Sequence, residues 1–225
     1  MSSEPRHEIP SSDIPEGMSP DARETWPSPE LIISWLGDQE VDFEFRPGED
    51  LAVHDDPEAV YAARRFRDVL GRFASGVTVV TSIANGEPVG LTCQSFSSVS
   101  LDPPLVLFIP AKTSRAWPLI QRSGKFCVNL LGADQATLSN TMASRGADKF
   151  AEVAWTPSER TGSPLLEGAL AHIDCAIHAV HEAGDHYVVI GRVLDLITDD
   201  GVEGADADLE PLLFYRGQYR TTDAR

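Results

Sequence analysis

The spacing of hydrophobic positions changes several times along the chain, and each change marks an expected element. Over residues 57–73, Val60, Ala63, Phe66, Val69, Leu70 and Phe73 recur at steps of three and four, which predicts an amphipathic helix. Gly76 then admits a turn into a β-branched strand over residues 77–82. Asn85-Gly86 is a strong hairpin signal, and the chain returns through residues 89–92. Asp102, Pro103 and Pro104 exclude a helix, and the apolar run LVLFI that follows reads as a buried strand. The pattern next predicts a short helix at residues 117–122, a strand at 126–131 and a helix at 133–143 with Asp134 in its first turn. Residues 170–181 and 186–197 read as two long strands joined by Glu182, Ala183, Gly184 and Asp185. Residues 198–210 form an acidic loop, and 211–219 a last strand with a turn at Gly217. Six or more strands, several joined as hairpins, with few helices, predict a mainly β, antiparallel barrel. No internal repeat is visible, and no GxGxxG follows a strand.

Charge divides the chain. The net charge is −17, and residues 1–60 hold 16 acidic and 3 basic side chains, against 19 and 15 in residues 61–225. The expected organisation is an acidic, Pro-rich extension over residues 1–58, a domain over 59–221 and a short tail over 222–225. Residues 1–28, with five prolines, are expected to be largely disordered. After them, Leu31, Ile32, Ile33, Trp35 and Leu36 suit a short helix, and Val41, Phe43 and Phe45 alternate like a strand. These apolar residues are too few to fold alone, so the segment either docks on the domain or awaits a partner. The acidity argues against a nucleic-acid backbone or an anionic membrane as partner. No apolar run approaches the ~20 residues of a membrane span, and the first residues lack a signal-peptide core, so the expected location is cytoplasmic. Cys93, Cys127 and Cys175 are odd in number and form no CxxC pair, so reduced thiols are expected rather than disulfides or a metal site.

The candidate chemistry centres on residues 90–110. Thr92, Cys93, Gln94, Ser95, Phe96, Ser97 and Ser98 are too polar for a core strand and read as a small-residue loop held beside a rigid strand. Such a loop lets backbone amides approach a flat or anionic ligand, or is simply a Ser-rich surface connection. Lys112, Thr113, Ser114 and Arg115 lead into a predicted helix, where donors, charge and helix dipole suit a phosphate, although solvated cations give the same pattern. Arg145, Gly146, Asp148, Lys149 and Phe150 lie in a loop able to fold over a ligand. His172, Asp174 and His178 share a strand face by parity and His181 points the other way. A metal site is conceivable there, but exposed strand residues are the preferred reading. His186, at a turn after Gly184-Asp185, is free to reach a ligand. There is no GxSxG elbow and no P-loop.

Seven motifs in order carry a specific resemblance: FRDVLGRFASGVTVVTS, GLTCQSFSSVSLDPPLVLFIPAKTSRAW, FCVNLL, DKFA, SPLLEGALAHIDC, HEAGDHYVVIGRV and PLLFYRGQY. Over residues 60–220 the chain resembles the short-chain flavin reductases of the FMN-binding split β-barrel fold, an antiparallel Greek-key type barrel with a few peripheral helices. It is most similar to reductase components of two-component aromatic and steroid A-ring monooxygenases. The resemblance implies a homodimer that binds FMN or FAD, oxidises NADH (or NADPH) and supplies reduced flavin to an oxygenase. It implies that Thr92, Cys93, Gln94, Ser95, Phe96, Ser98 and Val99 line the isoalloxazine and ribityl chain. Lys112, Thr113, Ser114 and Arg115 would hold the phosphate, with Arg145 and Gly146 completing the flavin site. Phe214, Tyr215, Arg216, Gly217 and His186 would meet the nicotinamide nucleotide. The alternative is a flavin- or heme-binding split barrel without turnover.

Overall fold

A computed structural model describes residues 57–144, 148–198 and 210–222. The expected extension helix and strand, Arg145 and Gly146, the centre of the acidic loop and most of the tail lie outside the described residues. The helices are α1 (Pro57–Leu70), α2 (Ala116–Ser123) and α3 (Ala136–Ala143). A seven-stranded antiparallel sheet contains β2 (Thr78–Ala84), β3 (Glu87–Cys93), β4 (Ser97–Leu101), β5 (Pro104–Phe108), β6 (Lys125–Leu130), β9 (Ala171–Ala183) and β10 (His186–Ile197). β1 (Ser75–Gly76), β11 (Leu213–Tyr215) and β12 (Gln218–Arg220) form a second sheet, and β7 (Trp155–Pro157) pairs with β8 (Pro164–Leu166). The chain is mainly β and antiparallel, as its pattern predicts.

Strand order dictates the shape. The large sheet runs β3-β2-β6-β9-β10-β5-β4, so β3 and β4 occupy opposite edges although only Gln94, Ser95 and Phe96 join them. Four Cα steps reach at most about 15 Å. Seven flat strands at ~4.8 Å spacing would be about 29 Å wide. The sheet therefore curls until its edges approach, leaving a barrel open along one seam, and the polar loop crosses that seam.

Two apolar clusters hold the curl. The larger joins Val80, Leu91, Val106, Phe108, Phe126, Val128, Ile177 and Val189 to Trp117 and Ile120 of α2. Phe108 meets Trp117 and Phe126 edge-on, with centroids 5.8 and 5.0 Å apart. Pro118 is tolerated because it sits in the first turn of α2, and Gly124 at φ 70° ends that helix, its N–H donating to the Gln121 carbonyl. Gly191 must lack a side chain, since a Cβ there would fall on the Phe126 ring. The smaller cluster packs Val77, Val79, Leu131, Met142, Phe150, Leu166, Leu212 and Phe214 together.

Several boundaries differ from expectation. The expected loop contains strand at both ends: Thr92 and Cys93 finish β3, and Ser97 and Ser98 begin β4. β4 is an exposed edge strand, so it needs no apolar face to form. α3 starts at Ala136, not Ala133, because Gly132 and Gln135 close a turn ahead of it: Gln135 N–H reaches the Gly132 carbonyl, and Gly132 N–H reaches Gln135 Oε1. Asp134 thus precedes the helix. The last strand is a hairpin, turning at Arg216 (φ 51°) and Gly217 (φ 76°) as Asn85 (φ 53°) and Gly86 (φ 87°) turn the first. α1 begins at Pro57 as expected but ends at Leu70, three residues short of Phe73.

Exposure also corrects the histidine reading. His172 and Asp174 are buried, not on the surface. Asn129, itself fully buried, donates to the Val79 carbonyl and Thr81 Oγ1 at 3.0 Å, and its Oδ1 lies 2.9 Å from Leu166 N and 2.8 Å from His172 Nδ1. Asp174 accepts from the hydroxyl and amide of Thr161, fixing the connection before β8. His178 stands at a β-bulge, where the register with β10 slips. Among the described residues no group of His, Cys, Asp and Glu is placed to hold a metal ion. The apolar face of α1, which the helical spacing predicts to be covered, is open in the single chain: Tyr61, Phe66, Val69 and Leu70 are exposed, as is Phe73 in the turn after the helix. No helix among the described residues is long and apolar enough to cross a membrane.

Candidate functional site

A cleft of about 220 Å³ opens beside the barrel seam. One wall is the end of β3 and the loop after it: Leu91, Thr92, Cys93, Gln94 and Ser95. Ile109, Pro110, Ala111 and Ser114 follow β5, while Met142 and Ala143 come from α3 and His186 from the start of β10. Half of these side chains are apolar, and the rest offer hydroxyls, an amide, a thiol and an imidazole.

Local bonding explains how the walls meet. Ser95 Oγ donates to the Ile109 carbonyl at 3.1 Å and accepts from Ile109 N–H at 3.2 Å, which ties the seam loop to the end of β5. Thr92 Oγ1 donates to the Ser139 carbonyl at 2.6 Å, so its proton is committed to α3 rather than to a ligand. Tyr187 N–H donates to the Pro110 carbonyl and Lys112 N–H to the Asp185 carbonyl, which lays residues 110–112 on the β9–β10 hairpin and brings His186 to the cleft. Burial pushes the Cys93 thiol up, and its Sγ lies 3.2 Å from Ser95 Oγ, so its reactivity depends on how far the cleft admits solvent.

His186 and Asp185 form a pair 2.7 Å apart. The hydrogen bond from His186 is the main cause that lowers the Asp185 carboxyl, with the positive charge of Lys112 adding to it. An ionised carboxylate only accepts, so Nδ1 of His186 is the donor, and in the neutral ring Nε2 remains an acceptor.

The part expected to bind an anion is narrower than its sequence suggests. Ser114 is buried, and its Oγ accepts from Trp117 N–H at 3.2 Å, capping α2 while leaving its own proton to donate. Pro118 has no N–H, so the free donors of this helix start come down to the residues just before Trp117. Thr113 and Arg115 are exposed next to Ser114. Lys112 is engaged elsewhere: its ammonium meets Glu182 at 2.9 Å and lies 5.4 Å from the Tyr187 ring centre. Glu182 is the main cause that raises the Lys112 ammonium, so this cation stays charged.

Of the residues singled out in the sequence, Thr92, Cys93, Gln94, Ser95, Ser114 and His186 line the cleft. Phe96 packs against the barrel cluster, and Ser98 and Val99 are exposed on β4. Phe214 is buried in the smaller cluster against Tyr219, Tyr215 is half-buried, and Arg216 and Gly217 form an exposed turn. None of these four lines the cleft. Of the apolar wall, Leu91, Ile109 and Pro110 fall inside the stretch 90–110 without being named as lining, and sequence reasoning missed Ala111, Met142 and Ala143. Pro110-Ala111 at the end of an apolar run was the one local sign, and nothing near Met142 marks it.

The profile of the family described as "Flavin reductase like domain" matches residues 70–223. The reductase subunit HsaB of a flavin-dependent monooxygenase from Rhodococcus jostii (strain RHA1) is 54% identical over 156 residues, 69% of this chain and 76% of the relative. The crystal structure of a homologue of nitrilotriacetate monooxygenase component B from Mycobacterium thermoresistibile superposes with a TM-score of 0.67 at 51% identity, covering 73% of this chain and 88% of that one. The NADH:FAD oxidoreductase SgcE6 of Streptomyces globisporus C-1027, in complex with NAD and FAD fragments, gives 0.65 at 37% identity, with coverage of 76% and 98%.

Proposed function

The chain belongs to the flavin reductase-like domain family, and we propose that it transfers hydride from NADH to FMN or FAD at the seam cleft and supplies the reduced flavin to a separate oxygenase in the cytoplasm. The observation that carries this is the cleft itself, where a hydroxyl- and amide-bearing loop faces an apolar wall beside a helix start. Such a lining suits a flat ring system with a polar, anionic tail. When bound, a flavin supplies the two-electron acceptor, so no protein nucleophile is needed. Leu91, Met142 and Ala143 then exclude water from the ring system, Gln94 orients it through its side-chain amide, and Ser95 holds the loop against the end of β5. Ser114 and Arg115, with Thr113, hold the phosphate. Lys112 acts at a distance, tethering the hairpin that carries His186. Nε2 of His186 accepts from the nicotinamide carboxamide, positioning the hydride donor. Arg145 and Gly146 complete the site from the segment after α3, and Tyr215, Arg216 and Gly217 serve the nicotinamide nucleotide from beyond the single-chain cleft, with Phe214 packed in the core behind them.

Cofactor sites usually enclose ~300–1,000 Å³. A cleft of about 220 Å³ in the single chain lies below that range, so it takes only part of a flavin. Under anaerobic conditions, NADH and flavin mixed with the protein should leave reduced flavin in the filtrate after ultrafiltration. Full retention on the protein contradicts the supply role.

The functional unit in this reading is a homodimer of the 59–221 domain, with residues 1–58 as an appended acidic segment. Val99 and Leu101 on β4, Leu194 and Leu196 on β10, and the open face of α1 are exposed apolar residues that a second copy covers in this reading. Light scattering should give the mass of two chains, and Leu194→Asp with Leu196→Asp should reduce it to one. A monomeric wild type contradicts the dimer.

A further inference from the structure

Segments far apart in sequence meet at Lys149, in the DKFA motif that the functional reading leaves unused. Its ammonium donates to the Met142 carbonyl at 2.8 Å and, more weakly, to the Gly90 carbonyl at 3.4 Å. Met142 lies in the last turn of α3, where carbonyls lack intrahelical partners. α3 has no basic residue in that turn, so Lys149 brings the cation that the negative helix end favours. Gly90 immediately precedes the cleft residues Leu91, Thr92 and Cys93, and Met142 and Ala143 form another part of the lining. A Cβ on Gly90 would press on the Phe150 ring at 3.2 Å and the Met142 sulfur at 3.3 Å, so the glycine lets α3 and the Lys149 loop close onto β3. Asp148 Oδ1 accepts from Phe150 N–H at 3.2 Å, shaping the turn that presents Lys149 and Phe150 together.

We propose that Lys149 is a positioning residue for the flavin, an ammonium clamp between α3 and β3 that sets the width of the cleft. The proposal rests on the reading of that cleft as the flavin site. The clamp touches neither flavin nor nicotinamide and acts through Met142 and the residues after Gly90. It joins a second tie between the same elements, the bond from Thr92 to Ser139, so its loss opens the cleft without unfolding the barrel.

Lys149→Met and Lys149→Arg, made in the full chain, test this by three readouts: FMN and FAD affinity by fluorescence titration, iodoacetamide labelling of each cysteine by peptide mass, and thermal stability. Cys93 lines the cleft at 5% exposure, whereas Cys127 and Cys175 are fully buried, so Cys93 labelling reports cleft width without any ligand. In Lys149→Met, flavin dissociation constants should rise about tenfold, because binding must then close a cleft that the ammonium no longer holds in shape. Cys93 labelling should quicken while Cys127 and Cys175 stay protected, and Lys149→Arg should recover most of both effects. Wild-type flavin affinity and Cys93 protection in Lys149→Met would overturn the clamp. Labelling of all three thiols together would also overturn it, since that is general loosening. Should the wild type bind neither flavin, the functional reading fails, and Cys93 labelling still decides the clamp.

Discussion

Replacing Ser114 and Arg115 together by alanine is expected to weaken flavin binding a hundredfold or more, while hydride transfer at saturating flavin changes little. The two residues sit at the start of α2, where the helix dipole favours an anion. In a chain of net charge −17, a bound phosphate needs such local donors. Each lost charge-assisted hydrogen bond costs about 1.5 to 3 kcal/mol. Ser114 also caps Trp117 N–H, so Ser114→Ala should in addition lower stability by about 1 kcal/mol. Arg115→Ala is free of that complication because the side chain is exposed. Fluorescence titration with FMN and FAD checks both variants, and unchanged dissociation constants in each would remove the phosphate from this helix.

His186→Ala should act on the other substrate. The Michaelis constant for NADH is expected to rise and hydride transfer to slow, a loss of about five- to thirtyfold in kcat/KM, with flavin affinity nearly intact. That range corresponds to one positioning hydrogen bond of about 1 to 2 kcal/mol. The side chain reaches the cleft while its Nδ1 is held by Asp185. Asp185→Asn separates positioning from packing, because it keeps the shape but no longer dictates which ring nitrogen carries the proton. It should give a smaller loss in the same direction. Stopped-flow reduction of the flavin-loaded variants makes the comparison, and wild-type rates with wild-type NADH dependence would return His186 to a purely structural role at the start of β10.

Much of this architecture is legible in the chain because its signals are local. Alternation and Asn85-Gly86 define the first hairpin, and the 3.6-residue spacing defines α1. The polar run before LVLFI marks the loop that turns out to cross the barrel seam. What stays hidden depends on strand order. His172 and Asp174 look like exposed strand residues until β6 and β9 pair and place Asn129 opposite His172. Lys112 reads as a phosphate ligand until the β9–β10 hairpin brings Glu182 to it across 70 residues. Met142 and Ala143 carry no chemical signal, and only the packing of α3 on β3 makes them a wall. Phe214 sits in a motif expected to meet the nicotinamide nucleotide, yet its ring fills the smaller core.

The most direct measurement is the rate of NADH consumption by the purified full-length protein with FMN, with FAD and with no added flavin. The account expects consumption only when a flavin is present, with one flavin reduced for each NADH oxidised in the absence of oxygen. Tight flavin retention without NADH consumption would contradict it and leave a binding protein in place of a reductase.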